Sequence, residues 1–332
     1  MPSIKKKNKK FTFIDLFAGI GGFRLALDKL GGKCLFTSEI DSECAKTYAA
    51  NFGDFPAGDI TKIEPRKIPT HDILCGGFPC QPFSISGKMK GFGDTRGTLF
   101  FSILEIIKAR QPKIIFLENV KHLQHHNNGN TLTTIINHLE ELGYKTEWQV
   151  LNAKDFGLAQ NRERIIIIGN KEKRFDFSKI TKTNNKTLKD ILEKNATYEY
   201  LKPKDYTILP TEKWKKQDSG LIFCGYRNKS IRVKGTRPDT IHLSRVHKQP
   251  NRIYFVNGTH PTIPSQESSG RFWIYDGEKV RKLTLNECFR LQGFPDKYKK
   301  ISKPGSCYNQ IGNAVAIPMI RAVGQQILNQ LI

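Results

Sequence analysis

The sequence predicts an α/β protein in which a mainly parallel, doubly wound sheet carries a second, smaller domain. Short continuous apolar runs alternate with helix-period stretches from Phe11 to Gly169, the alternation then stops, and helical patterns resume near the C-terminus. Strands that read as unbroken apolar runs between helices are buried on both faces, which is the condition of a parallel sheet with helices on each side. A length of 332 residues, with 38% hydrophobic and 10% aromatic residues, suits a large domain plus a smaller one.

Residues 1–10 (MPSIKKKNKK) form a basic arm without an apolar segment. The apolar runs FTFIDLF, KCLFTSEI, HDILCGG and PKIIFLENV then read as strands, and FRLALDKL, CAKTYAANF and TLFFSILEIIKAR as helices. TLTTIINHLEELG is a further helix, followed by the strands WQVLNA and RIIIIGN. Between residues 171 and 250 there are 20 Lys and Arg against 9 Asp and Glu, turn residues are frequent, and no βα rhythm is visible. The expected division is therefore a first domain of residues 11–171 and 280–332 around a smaller one of 172–279. In the returning segment, LTLNECFRLQGF reads as a helix. NAVAIPMIRAVGQQILNQLI reads as one long amphipathic helix, with Val315, Met319, Ile320, Val323 and Ile327 near one face.

The chain has 54 Lys and Arg against 31 Asp and Glu, a net charge of +23. An excess of that size favours a polyanionic partner, because a basic face attracts phosphates and speeds encounter. The seven cysteines (Cys34, Cys44, Cys75, Cys80, Cys224, Cys288 and Cys307) form no CxxC pair, so neither a zinc site nor a disulfide framework is expected. A reducing compartment fits, and no metal is expected. No stretch approaches the roughly 18 apolar residues that span a bilayer, and no secretory signal is present, so the reading is a cytoplasmic protein with no membrane partner.

The strand FTFIDLF runs into Ala18-Gly19-Ile20-Gly21-Gly22 and then a helix. Glycines there allow a sharp turn and the close approach of a ligand to backbone amides. Glu39 closes the next strand 20 residues after Gly19, in position to accept bonds from ribose hydroxyls, and Asp59-Ile60 is placed to reach an adenine amino group. The dinucleotide fingerprint GxGxxG fails at its sixth position, Arg24, which disfavours a nicotinamide cofactor and an oxidoreductase. S-adenosylmethionine, which has no pyrophosphate, suits the turn better.

A second turn follows HDILCGG, as Phe78-Pro79-Cys80-Gln81-Pro82-Phe83-Ser84. Cys80 lies just past the carboxyl end of a strand, where open parallel sheets hold their active sites. Prolines on either side fix its direction, and a thiolate there attacks electrophilic carbon once its pKa of roughly 8.5 is lowered. Cys75, inside the strand, reads as a small buried apolar residue.

These motifs in this order resemble the bacterial-type DNA (cytosine-5) methyltransferases of type II restriction–modification systems. They are FIDLFAGIGGFRLAL, GGFPCQPFS, FLENV, QNRERIIIIG, RKLTLNECFRLQGFP and YNQIGNAVAIPM, which together span residues 11–319. The resemblance implies a Rossmann-like methyltransferase domain carrying a target-recognition domain, S-adenosylmethionine as cofactor with S-adenosylhomocysteine as product, and double-stranded DNA as substrate. It implies that Cys80 adds covalently to carbon 6 of a flipped-out cytosine and that Glu118 serves nitrogen 3, which requires a raised pKa when the base is bound. By the same resemblance Arg164 holds the exocyclic oxygen and Arg162 organises the thiolate and Glu118. Phe17 stacks near the adenine, Pro79 and Leu99 line the cofactor pocket beside Gly19, Gly21, Gly22, Glu39, Ile40, Asp59 and Ile60, and Asn313 touches the methionine end. Position 40 is often aromatic in relatives, so Ile40 weakens one adenine contact.

Segment 84–98 has the composition of a mobile lid. The resemblance further implies DNA contacts by Ser84, Ser86 (entering the emptied stack), Gln249 (filling the space left by the base), Arg252 (reading a guanine edge) and Thr262 (on a phosphate). A monomer nucleoid-associated in the cytoplasm, working beside a cognate restriction endonuclease, completes the expectation. The alternatives are a tRNA methyltransferase with the same cysteine chemistry and a non-catalytic DNA-binding protein on this scaffold. All the residues whose loss would mark the latter are present.

Overall fold

The structure is a computed structural model and describes residues 10–78, 98–184, 186–228, 251–266 and 272–332. The chain divides into two compact units, Met1–Leu151 with Glu163–Lys182 and Ala314–Ile332, and Asn152–Arg162 with Thr183–Asn313.

The first unit is built on a six-stranded sheet. Its strands are β1 (Phe11–Leu16), β2 (Gly32–Ser38), β3 (Ile73–Gly77), β4 (Ile114–Val120), β5 (Lys145–Asn152) and β7 (Glu163–Asn170), while the short β6 (Gln160–Asn161) belongs to the second unit. The spatial order is β2-β1-β3-β4-β7-β5. β1 pairs in parallel with both β2 and β3, and β3 with β4, whereas β4 and β7 run antiparallel. The expected mainly parallel α/β sheet is present, as a mixed sheet. Strand order reverses at β1, with β2 on one side and β3 on the other, which opens a crevice beyond the carboxyl ends of β1 and β3.

The helices α1 (Gly22–Asp28), α2 (Ser42–Phe52), α3 (Thr98–Arg110) and α4 (Asn130–Glu141) follow the apolar stretches that predict them. Asp41 caps α2 by accepting from the amides of Glu43 and Cys44 at 2.8 and 2.9 Å, and Gly53 ends it at φ 84°. One face of the sheet (Ile14, Leu16, Leu74, Ile115, Leu117, Ile165 and Ile167) packs with Ile103, Ile107, Ile135 and Leu139 of α3 and α4 into the main core. Alternate residues of a strand face opposite ways, so Asp15 and Cys75 lie on the other face.

The second unit carries β8 (Tyr206–Ile208), β9 (Lys215–Lys216), β10 (Ile222–Arg227), β11 (Arg252–Phe255), β12 (His260–Pro261), β13 (Trp273–Tyr275) and β14 (Val280–Lys282). Its main sheet has the order β14-β13-β11-β10-β8, with β9 beside β10, and only β11 and β13 are parallel. Helices α5 (Leu285–Leu291) and α6 (Pro304–Asn313) complete it. Thr284 and Glu287 close a reciprocal capping box on α5. Glu287 is fully buried and takes Arg281, 3% exposed, in a two-pronged pair at 2.9 and 2.8 Å.

The sequence pattern and the structure part at two places. The chain was expected to return to the first domain at residue 280, yet α5 and α6 pack within the second unit and the return comes at Ala314. The long C-terminal helix is also broken. α6 ends at Asn313, residues 314–316 are not helical, and α7 (Ile317–Gln330) starts with proline in its first turn. Pro318 offers no amide to a preceding carbonyl, so a helix running through it would lose a bond, whereas a helix starting there loses none. Within α7, Met319, Ile320, Val323 and Ile327 are buried as the pattern requires. α7 packs on α1, where a Cβ at Gly324 would stand 2.9 Å from Leu27 Cδ2.

Glu287→Ala strands the Arg281 guanidinium inside the second unit. A loss of about 3–5 kcal/mol is expected from removing one partner of a buried pair, measured as a fall in the urea midpoint. A loss under about 1 kcal/mol would show that the pair is not what holds α5 in place.

Candidate active site

The turn after β1 combines three left-handed residues, Phe17 (φ 58°), Gly19 (φ 53°) and Gly21 (φ 78°). For phenylalanine that conformation costs on the order of 1–2 kcal/mol, and such strain concentrates at functional sites. The glycines serve different ends. A Cβ on Gly19 would meet nothing within 4 Å, so its backbone faces open space. A Cβ on Gly21 would collide with the Phe52 ring, and one on Gly22 would stand 2.6 Å from Val315 Cγ2, so these two permit close packing of the turn.

Backbone bonds hold the turn against β2. Ala18 N–H donates to the Ser38 carbonyl at 2.9 Å and Gly21 N–H to the Ala18 carbonyl at 2.8 Å. Glu39 Oε2 accepts from Gly19 N–H at 2.7 Å and Oε1 from Asp41 N–H at 2.8 Å. Burial raises the Glu39 pKa, and these two amides oppose it. Each carboxylate oxygen keeps a lone pair beyond the amide it serves, so Glu39 both anchors the turn and retains capacity for hydroxyls.

Ile40 is 74% exposed at the end of β2, an unusual state for a branched apolar side chain beside a crevice. Asp59 accepts from Thr61 N–H and Oγ1 at 3.0 and 2.8 Å, which lowers its pKa, and Ile60 beside it is buried. Leu99 is half-buried against the main core. Arg24, where a dinucleotide site needs its third glycine, is committed elsewhere: its Nη1 donates to Tyr48 Oη and Asp54 at 2.8 Å, and its guanidinium lies 4.6 Å from the Phe52 ring centre.

At the end of β4, Glu118 is 7% exposed and its Oε1 lies 3.2 Å from Arg164 Nε. Arg164, 9% exposed, stands on the antiparallel neighbour β7, where burial lowers its pKa and Glu118 raises it. Its Nη1 also donates to the Glu163 carbonyl at 2.7 Å, while the Glu163 side chain pairs with Lys121 at 2.9 Å. β3 sets Gly77 beside Glu118 in register, and a Cβ at Gly77 would stand 3.7 Å from Glu118 Oε2.

Asn119, which no sequence motif marks out, holds the chain at Phe78. Its Nδ2 donates to the Phe78 carbonyl at 2.8 Å, two residues before Cys80 in sequence, and its Oδ1 accepts from Val120 N–H at 2.8 Å. Pro79, Cys80, Ser84, Ser86 and Gln249 lie outside the described residues. Among the described cysteines, burial pushes the thiols of Cys34 and Cys224 up to about 12 and those of Cys44 and Cys75 up as well, so these four are protonated and poorly nucleophilic at neutral pH.

Four expected residues, Arg162, Arg252, Thr262 and Asn313, lie in the second unit. Arg162 is 1% exposed, and its Nη2 donates to the Gly312 carbonyl at 3.1 Å. Asn313 is exposed at the end of α6, with its Nδ2 donating to Asn309 Oδ1 at 2.8 Å. The Thr262 hydroxyl donates to the Asn161 carbonyl at 2.9 Å, so its one hydrogen is already engaged. Arg252 opens β11 with its guanidinium 5.9 Å from the Phe223 ring centre. Among the described residues no cluster of His, Cys, Asp or Glu could hold a metal ion, and no helix is long and apolar enough to cross a membrane.

A model of the C-5 cytosine-specific DNA methylases matches residues 11–329. The type II methyltransferase M.HpaII of Haemophilus parainfluenzae is 45% identical, over 97% of this chain and 90% of its own length. M.HhaI of Haemophilus parahaemolyticus is 40% identical, over 99% and 98%. Among solved structures, the Dnmt2 methyltransferase of S. pombe has a TM-score of 0.69 at 17% identity, covering 97% of this chain and all of that one. A putative DNA modification methyltransferase from an E. coli prophage has 0.69 at 21%, covering 97% and 99%. At those identities the structures speak for the fold alone.

Asp15, on the far side of β1 from the main core, is wholly buried, and burial pushes its carboxyl up to about 8 against the lowering effect of the Arg24 amide and guanidinium. The folded chain keeps a proton that the unfolded chain releases near 3.8. Stability from this group is therefore full below that value and is lost as pH climbs through about 8. The urea midpoint is expected to fall less for Asp15→Asn than for the wild type between pH 5 and pH 8.5. Equal falls would contradict the assignment.

Proposed function

Since this chain belongs to the C-5 cytosine-specific DNA methylases and is a DNA (cytosine-5) methyltransferase, we propose that it methylates carbon 5 of a flipped-out cytosine in a short specific duplex sequence through a covalent bond to Cys80. The observation that carries this reading is the buried Glu118–Arg164 pair at the end of β4, together with Asn119 fixing the Phe78 carbonyl just before Cys80.

Carbon 5 of cytosine is a poor nucleophile. Addition of the Cys80 thiolate to carbon 6 makes it enamine-like, and the negative charge that reaches the ring is met at nitrogen 3 by a proton from Glu118. Arg164 offers Nε to the carboxylate while the site is free and holds the exocyclic oxygen once the base enters. Arg162 steadies the thiolate. After transfer the carbon 5 proton leaves to water, the thiolate is eliminated and the nitrogen 3 proton returns to Glu118, which regenerates both the cysteine and the carboxyl. Extrusion of the base costs a few kcal/mol of unstacking. Ser86 and Gln249 fill the gap in the duplex, with Ser84, Arg252 and Thr262 as further DNA contacts.

The residues of the first turn fit S-adenosylmethionine, which supplies the methyl group when bound. Gly19 stands over open space, Glu39 keeps lone pairs for ribose hydroxyls, and the arginine at position 24 suits a cofactor without pyrophosphate. Phe17, Ile40, Ile60, Pro79 and Leu99 enclose the adenine, Asp59 takes its amino group, Gly21 and Gly22 shape the turn, and Asn313 meets the methionine end. In this reading the first unit is the catalytic domain and the basic second unit recognises the target. The protein works as a cytoplasmic monomer on nucleoid DNA and protects it from a cognate endonuclease.

Tritium transfer from labelled S-adenosylmethionine is expected to reach duplex DNA and not tRNA. Cys80→Ser is expected to retain DNA and cofactor binding but less than a few per cent of transfer. Larger residual transfer by Cys80→Ser would rule out the covalent route, and transfer to tRNA alone would overturn the substrate.

A further inference from the structure

A half-buried guanidinium ordinarily meets a carboxylate or several carbonyls, because its five donors are costly to leave unmatched away from water. The second unit shows the rule in Arg281, which spends its fork on Glu287, and in Arg290, which pairs with Asp296 at 2.7 and 3.0 Å. Arg227 departs from it. Among the described residues its contact is the face of Trp273, with 5.4 Å from the guanidinium carbon to the ring centre, and it has no carboxylate within ion-pair distance. Burial lowers its pKa, and Asp205 and Glu199 act on it only as charges in the field around it.

Its place in the sheet gives the partner. Arg227 is the last residue of β10 and Arg252 the first of β11, and across this antiparallel pair Tyr226 stands opposite Arg252. Cys224, Ile253 and Trp273 pack on one face of the sheet and Leu221, Phe223 and Tyr254 on the other. Arg227, over Trp273, and Arg252, over Phe223, therefore flank the same end of the sheet, one on each face. The chain from Arg227 to Arg252 holds eight Lys or Arg and a single Asp. A planar cation fixed on an aromatic ring, with no hydrogen bond to its guanidinium among the described residues and so basic a sequence following it, matches the bidentate geometry of a phosphodiester.

We propose that Arg227 contacts a DNA backbone phosphate and so positions the target-recognition unit on the duplex, independently of base sequence. This rests on the reading of the chain as a DNA methyltransferase. A phosphate contact contributes to affinity for every sequence alike and to its salt dependence, whereas an arginine that merely braces the sheet alters neither in that pattern.

The test uses the full chain and a fluorescein-labelled 30-base-pair duplex of random sequence, with anisotropy read across a salt series. Arg227→Ala and Arg227→Gln are expected to bind about tenfold more weakly at low salt, with the log–log salt slope shallower by roughly 0.9. Arg227→Lys keeps the charge and loses the planar stack, so it is expected to recover the slope with only part of the affinity. Wild-type affinity and slope in the alanine and glutamine variants would overturn the proposal, as would weaker binding with an unchanged slope, the mark of a damaged fold. A wild-type protein that ignores the duplex would overturn the DNA reading itself. Wild-type binding with unaltered variants would sink only the role given to Arg227.

Discussion

The parallel register that sets Gly77 beside Glu118 governs the layout of this edge of the first unit. It brings a carboxylate to the carboxyl edge of the sheet next to the strand that leads to Cys80, with no side chain on β3 to crowd it. β7 supplies Arg164 from the antiparallel side, and Asn119 ties down the Phe78 carbonyl. A slip of one residue between β3 and β4 would turn Glu118 to the other face and dissolve the arrangement. Reversal of strand order at β1 places the glycine turn at the neighbouring crevice, so that turn and the Glu118–Arg164 pair share one edge of one sheet.

Such an edge costs stability. Phe17 is held in a conformation that suits glycine, Ile40 is left in water, and Asp15 is buried far from its ordinary ionisation. Each is tolerated because the strands beneath are packed on both faces, and each marks a place where a ligand or a fixed turn outweighs the local preference.

Much of this was legible in the sequence, for physical reasons that differ by element. The strands of the first sheet were visible because burial on both faces demands continuous apolar runs, and α2 and α4 because their apolar residues recur with the helical period. α6 was hidden, since PGSCYNQIGN has the composition of a turn and becomes helical only through packing of Cys307, Tyr308 and Ile311. The break before α7 was announced by Pro318 but overridden by the apolar pattern around it. In the site, Glu118 and the glycines stood out through motif and spacing. Asn119 and Arg227 did not, because an amide that holds a carbonyl and an arginine that lacks a carboxylate are defined by what surrounds them in space.

The claim at the centre is a transient sulfur–carbon bond. Duplex DNA carrying 5-fluorocytosine at the methylated position, incubated with the protein and S-adenosylmethionine, blocks the final loss from carbon 5 and so holds that bond in place. Mass spectrometry of the digested adduct is expected to find the methylated fluorocytosine on the peptide containing Cys80. Recovery of the protein free of DNA, or an adduct on any other residue, would contradict the account.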